Sequence, residues 1–319
     1  MPSISAFRTV PAFIFSFVFS LLITVWAVTA FAQNTSNDNN SRPDEPGTGP
    51  YPAIKEALSS LPDHVVYRPE NLDSMGDMKL GVVAWGNGGC SFDGASSRFH
   101  LLELASHGYL VIAGGRILSG PGAGELDDPQ RRTSYTSLTE AIDWALTENT
   151  RPDSPFYGRI DPEQVALSGF SCGGVQVNHT ASDPRVKTLV MHNTGILNEA
   201  LDVPAPLPDM ALGKEALNDI HTPVIYILGG ESDIAYENGM DDFNRLEHVP
   251  VAVANIDTGH GGTFQMPNGG KAAQVAVQWL NWQLRGERKA ALFFIGPECG
   301  LCKDSDWTLA RKFTGVIAP

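Results

Sequence analysis

The chain has 319 residues, 42% of them hydrophobic and 18% charged, with 32 Gly and 22 Pro, which suits one large core or two modest ones and excludes a coiled coil or helical array. Lys and Arg total 22 against 36 Asp and Glu, a formal charge of −14; this lacks the footprint of a nucleic-acid binder and sets the body against anionic membranes. No internal repeat of about 20–50 residues recurs, which removes solenoids and propellers.

In chain order, Pro11 to Ala32 is uncharged and dominated by Phe, Leu, Val, Ile and Ala, with Arg8 upstream and Ala30 and Ala32 before Gln33. The pattern predicts a secretory signal, residues 1–32, cleaved after Ala32; an uncleaved membrane anchor is the alternative, since such a run approaches the roughly 20 residues that span a bilayer. Residues 33–50 are polar and turn-forming, so they are expected to be a disordered linker, with the folded domain over 51–319. Cleavage would remove one basic residue and no acid, leaving the exported part more acidic.

Beyond Tyr51, short apolar runs alternate with helical patterns. Leu80 to Trp85, Tyr109 to Ala113, Val165 to Ser168, Thr188 to Met191, Val224 to Leu228 and Val249 to Ile256 are expected strands. Their lack of in/out alternation implies burial on both faces. Arg98 to His107, Ser137 to Glu148, Gly173 to Ser182, Glu237 to His248 and Lys271 to Arg285 are expected helices. Alternation of this kind predicts a single-domain α/β fold, a doubly wound, mostly parallel sheet flanked by helices. Residues 116–135 and 194–222 form two long connections of the kind that serve a site.

Gly169-Phe170-Ser171-Cys172-Gly173 falls directly after an expected strand and before an expected helix. There a nucleophile sits on a strained turn, and flanking glycines let strand and helix approach. The motif alone also fits an ordinary strand-to-helix turn; its partners raise Ser171 to a candidate nucleophile. A serine hydroxyl needs a base, and the base needs a carboxylate that holds its tautomer, in the chain order Ser, acid, His for this architecture. Gly229-Gly-Glu-Ser-Asp233 puts Asp233 at a strand's carboxyl end, with Glu231 as rival, and Asp257-Thr-Gly-His260-Gly-Gly puts His260 after the next strand. The other seven histidines are expected at the surface or at helix ends, with His179 and His192 close enough to the elbow to approach the pocket.

Acyl transfer also needs backbone N–H donors facing the developing oxyanion. Cys172 supplies one. The second is expected from Trp85-Gly-Asn-Gly-Gly-Cys90, at Asn87 or else Gly88. This loop resembles the H-G-x-G loop of esterases, with Trp85 where that motif has His. Both flanks converge on one atom, so a Cys90–Cys172 disulfide is expected in an oxidising compartment. Cys299-Gly-Leu-Cys302 has too little chain after it for a thioredoxin-like site and lacks the further ligands of a zinc site, which leaves a local structural disulfide. Trp85 and Phe170 are either an apolar substrate wall or core residues.

With elbow, acid, His and Gly-rich loop in order, the chain resembles the α/β-hydrolase superfamily. Trp85-Gly-Asn-Gly-Gly-Cys90, Gly259-His260-Gly-Gly-Thr-Phe264 and Cys299-Gly-Leu-Cys302 are similar to secreted dienelactone-hydrolase-like and polyester-hydrolase-like esterases, from about Tyr51 to the end. The resemblance implies a secreted or periplasmic serine esterase using neither metal nor cofactor and acting on small or polymeric esters; the acidic charge balance points to no nucleic-acid partner, and cleavage of the signal to no stable membrane association. Dienelactone hydrolases proper carry Cys at the elbow, where this chain has Ser171. Rival readings are a prolyl-oligopeptidase-like serine peptidase, a membrane-anchored esterase and a non-catalytic binding module. The peptidase usually carries a propeller ahead of the catalytic fold, and the 194–222 connection is too short for a large lipase lid.

Overall fold

The computed structural model describes residues 41–199 and 207–313, and a compact unit begins at Pro43. Nine strands form one sheet: β1 (Ala53–Leu58), β2 (Leu61–Pro69), β3 (Leu80–Gly86), β4 (Tyr109–Gly114), β5 (Ile160–Phe170), β6 (Thr188–His192), β7 (Val224–Leu228), β8 (Val251–Ile256) and β9 (Trp307–Lys312). Their spatial order is β1-β2-β4-β3-β5-β6-β7-β8-β9. The run from β4 through β8 is parallel throughout, while β1, β2 and β9 join antiparallel at the two edges.

Both faces of the central strands are covered, which explains their uninterrupted apolar sequences. Strand period two sends Leu80, Val82 and Ala84 to one side with α2 (Thr136–Thr150), α3 (Cys172–Thr180) and α4 (Tyr236–Arg245). It sends Val83 and Trp85 to the other, against α1 (Arg98–Ser106) and α5 (Gly270–Arg285). On α5, Ala272, Val275, Ala276, Trp279 and Leu280 keep the helical spacing of a core stripe. Gly286 ends α5 in the left-handed conformation at φ 66°, its N–H turned back to the last helical turn.

The six expected strands and five expected helices are all present, Val224–Leu228 with the expected ends and the others with one or both ends shifted. The expectation for the β8 segment began two residues early, at Val249, because Pro250 interrupts the run before the strand starts at Val251. Three strands were not anticipated. The β1–β2 hairpin and β9 lie at sheet edges, where one face is partly solvated and the apolar signal is diluted.

The beginning of the fold requires correction. Within the expected linker, Thr48 donates to Glu103 through its N–H (2.7 Å) and its hydroxyl (2.5 Å). The Gly49 N–H reaches Ser106 Oγ at 2.9 Å, Asp44 pairs with Lys55 and Arg98, and Glu45 accepts the Asn268 N–H. Glu103 and Arg98 are buried on α1, so this polar segment is ordered by its hydrogen bonds and ion pairs to buried charged groups of that helix. The signal or anchor segment and residues 33–40 lie outside the described residues, as do 200–206 of the second long connection. Among the described residues no helix is long and apolar enough to cross a membrane.

Candidate active site

The three candidate side chains come from loops at the carboxyl ends of β5, β7 and β8. Ser171 ends the β5 turn with φ 53° and ψ −120°, a strained conformation for a residue with a Cβ, and directly precedes α3. Its N–H donates to His192 O at 3.0 Å and its carbonyl accepts the Thr194 hydroxyl at 2.7 Å, so β6 and its following loop hold the turn from both ends. The turn also needs its glycines: a Cβ on Gly169 would fall 2.4 Å from Gly173 O, and one on Gly173 would fall 2.0 Å from Gly86 O.

His260 Nε2 lies 3.0 Å from Ser171 Oγ, and His260 Nδ1 lies 2.6 Å from Asp233 Oδ1. Asp233 is almost fully buried, whereas the rival Glu231 is exposed. Burial is the largest influence on Asp233 and raises its carboxyl; the bonds from His260, the Ala235 N–H and Asn193 outweigh it and hold the group below the ordinary carboxylate range. An ionised acid is therefore presented to the imidazole. It cannot rotate freely, because Oδ2 also accepts Asn193 Nδ2 at 2.9 Å and the Gly229 N–H at 3.3 Å.

Asn193 is a site residue that motif reasoning missed. It stands in the left-handed region at φ 44° and its amide also donates to Gly259 O at 3.1 Å, so one side chain ties the acid loop to the histidine loop. A usable signal was present: Asn193-Thr194 follows the strand beside the elbow strand, at the sheet end where such sites lie.

On the proposed oxyanion side, a Cβ on Gly173 would fall 2.6 Å from Asn87 N, so Asn87 and the start of α3 share one wall. The Asn87 side chain donates to Ser91 O at 2.9 Å and to Gly114 O at 2.7 Å, which fixes the loop from within. Gly88 accommodates the Phe170 ring, which a Cβ there would meet at 2.4 Å. Cys90 and Cys172 are disulfide-bonded with their Cα atoms 5.3 Å apart, joining this loop to α3. Cys299 and Cys302 form the second bridge, from the cap to the third residue of the short α6 (Gly300–Lys303) that packs on β9.

The two aromatic candidates separate. Phe170 is half-buried, with its ring 5.3 Å from His260 and 4.6 Å from Phe264. Trp85 does not reach the cleft and is corrected to a core residue: period two along β3 points it beneath the site, fully buried against His100, His192 and Phe264. His100 and His192 are likewise corrected. Both are fully buried with ring centroids 4.7 Å apart rather than at the surface or in the pocket. Burial pushes His100 down to about 3 and His192 well below the ordinary histidine value. His179 turns away, donating to or accepting no catalytic group, and meets Asp209 O at 2.8 Å.

A cavity of about 150 Å³ opens at Ser171 and His260, walled by Val175, Thr194, Met210 and Ile234. Ile234 is 79% exposed, an apolar rim immediately after the acid. No group of three or more His, Cys, Asp or Glu suited to a metal occurs among the described residues.

A mostly parallel sheet with a strained serine, a buried acid and a histidine between them defines an α/β-hydrolase with the layout of a serine esterase. A family model described as PETase: PET hydrolase-like matches residues 47–299, and the chain belongs to this family of carboxylic ester hydrolases. No curated protein matches the chain.

Proposed function

We propose that the protein is an exported hydrolase that cleaves carboxylic esters through an acyl-enzyme on Ser171. The observation that carries this reading is the continuous chain Ser171 Oγ, His260, Asp233, at 3.0 and 2.6 Å. His260 takes the serine proton as Oγ attacks the ester carbonyl. Asp233, kept ionised, holds the imidazole orientation and stabilises the imidazolium. The Asn87 and Cys172 N–H groups receive the oxyanion. His260 then protonates the departing alcohol, and water repeats the sequence on the acyl-enzyme.

The cavity is smaller than the roughly 300–1,000 Å³ that encloses a drug-sized ligand. Only the scissile ester and a short flanking group enter it, and the rest of the substrate lies across the open rim at Ile234. This favours extended or polymeric esters, in keeping with a family named for PET hydrolases. The signal-like segment 1–32 and the two disulfides support export to an oxidising compartment.

The test is hydrolysis of a chain-length series of p-nitrophenyl esters beside Ser171→Ala. Activity falling by about 10³-fold or more in the variant, with an optimum at short acyl chains, is expected. Equal activity in both proteins would refute the assignment.

A further inference from the structure

Asp242 on α4 is fully buried, yet its carboxylate is shared between segments that wall the cleft. Oδ2 accepts the Ile196 N–H at 2.8 Å and the Tyr226 hydroxyl at 3.3 Å, while Oδ1 accepts Lys214 Nζ at 2.6 Å. Ile196 sits in the loop after β6 that brings Thr194, Gly195 and Leu197 to the cavity. Lys214 lies four residues beyond Met210, which lines the same cavity.

Further bonds repeat the connection. Lys214 Nζ donates to Asn238 O at 3.2 Å and lies 3.0 Å from Asp241. Asn238, itself a cavity residue, accepts the Asn198 N–H at 3.0 Å. Gly195 runs so close to α4 that a Cβ there would fall 2.3 Å from the Asn238 carbonyl carbon.

We propose that Asp242 and Lys214 are positioning residues: the pair clamps the 194–198 loop and the segment leading to Lys214 onto α4, and so sets the shape of the pocket the ester enters. The proposal rests on the Ser171 cleft being the ester site. A buried ion pair adds little stability over a well-packed apolar pair, so what this pair supplies is geometry. Asp233 is three residues from Tyr236, the first of α4, which places the clamp on the element that follows the catalytic acid.

The clamp is also sensitive to acid. Burial is the dominant influence on Asp242 and pushes its carboxyl up to about 6, against the attraction of Lys214 and the bonds from Ile196 and Tyr226. Lys214 and Tyr226 from β7 bond it directly; Glu237, Asp241 and Arg245 share its helix, Glu215 and Asp219 lie on the Lys214–Asp219 turn packed against α4, and Lys312 of β9 reaches Phe243 and the Asn244 carbonyl. The β8 strand packed against α4 brings no charge. As the medium acidifies through that value, Asp242 takes up a proton, its hold on the Lys214 ammonium weakens, and the pocket loosens.

The experiment measures Kd for p-nitrophenyl butyrate on the full chain carrying Ser171→Ala, across the range from about pH 8 to 5, with Asp242→Asn or Lys214→Gln added. Each added change is expected to weaken binding on the order of threefold to thirtyfold at the alkaline end. Asp242→Asn should also flatten the acid-side loss of affinity, and Lys214→Arg should restore most of what Lys214→Gln loses. Lys214 is partly exposed, so Lys214→Gln and its rescue decide the matter where Asp242→Asn does not fold. Folded variants that bind as tightly as the parent, with the same pH profile, would overturn the clamp. Turnover persisting in Ser171→Ala would instead remove the esterase reading beneath it.

Discussion

Replacing both Cys90 and Cys172 with Ala opens a cross-link whose ends are 82 residues apart in sequence. Closing a loop of that size removes about 4.5 kcal/mol of chain entropy from the unfolded state, so the double variant should lose roughly that much stability. For a domain of this size each kcal/mol moves Tm by about 2–4 °C, giving a fall on the order of 10–15 °C. The folded geometry is secured separately by the Gly86–Gly173 approach, where any Cβ would collide with backbone. Ester hydrolysis well below the new Tm should therefore persist at a reduced rate. Urea unfolding and calorimetry on parent and double variant, with hydrolysis followed on the same samples, measure both effects. A stability loss under about 1 kcal/mol would refute the loop-closure argument, and activity abolished in a fully folded double variant would refute the claim that glycine packing holds the two loops together.

Asn193→Ala removes the amide that bonds both Asp233 and Gly259 O. A hydrogen bond to a charged acceptor is worth about 1.5–3 kcal/mol, so kcat should fall by about tenfold or more; an unchanged kcat would show that Asp233 is oriented without it. Acid should destabilise the protein well above the carboxylate range. His100 is held neutral when folded, down to about 3, whereas the unfolded chain takes up that proton below about 6.5. Its contribution is complete above the unfolded value and is lost as pH falls toward the folded one, amounting to about 3 kcal/mol by pH 4.5. His192 acts in the same direction. The parent's urea midpoint should fall more steeply than that of His100→Phe as pH drops from about 7.5 to 4.5, and parallel curves would contradict this. Asp233 acts in the same direction in a separate, more acidic window: its depressed carboxyl stabilises above its unfolded value, and that contribution is lost only as pH falls below about 3.8.

Much of this architecture was legible in the sequence because central strands and chemistry-bearing turns leave strong local signals. Val224 to Leu228 is apolar throughout because both its faces are covered, and Gly169 and Gly173 are fixed by backbone contact at the elbow. Edge strands carry weaker signals: Lys55 and Glu56 in β1 and Arg311 and Lys312 in β9 are partly solvated. Trp85 shows a different limit. Its position beside a glycine-rich loop suggests a substrate wall, but the direction of its side chain is set by strand parity, which points it into the core with His100 and His192. Asn193, Asp242 and Lys214 were invisible as motifs because their roles arise from contacts between elements far apart in sequence, such as Asn193 with Gly259 and Lys214 with Asp242. The 44–49 segment was misjudged for a related reason. Its own polarity describes a linker, while its order comes from Glu103 and Arg98 on α1.

If His260 and Asp233 activate Ser171 as the nucleophile, covalent capture reads that activation directly. The full chain is treated with a fluorophosphonate and the adduct located by peptide mass spectrometry, beside His260→Ala. One adduct per chain is expected, on Ser171, formed at a rate that collapses in His260→Ala and accompanied by complete loss of ester hydrolysis. An adduct on another residue, or hydrolysis that continues after Ser171 is fully modified, would contradict it.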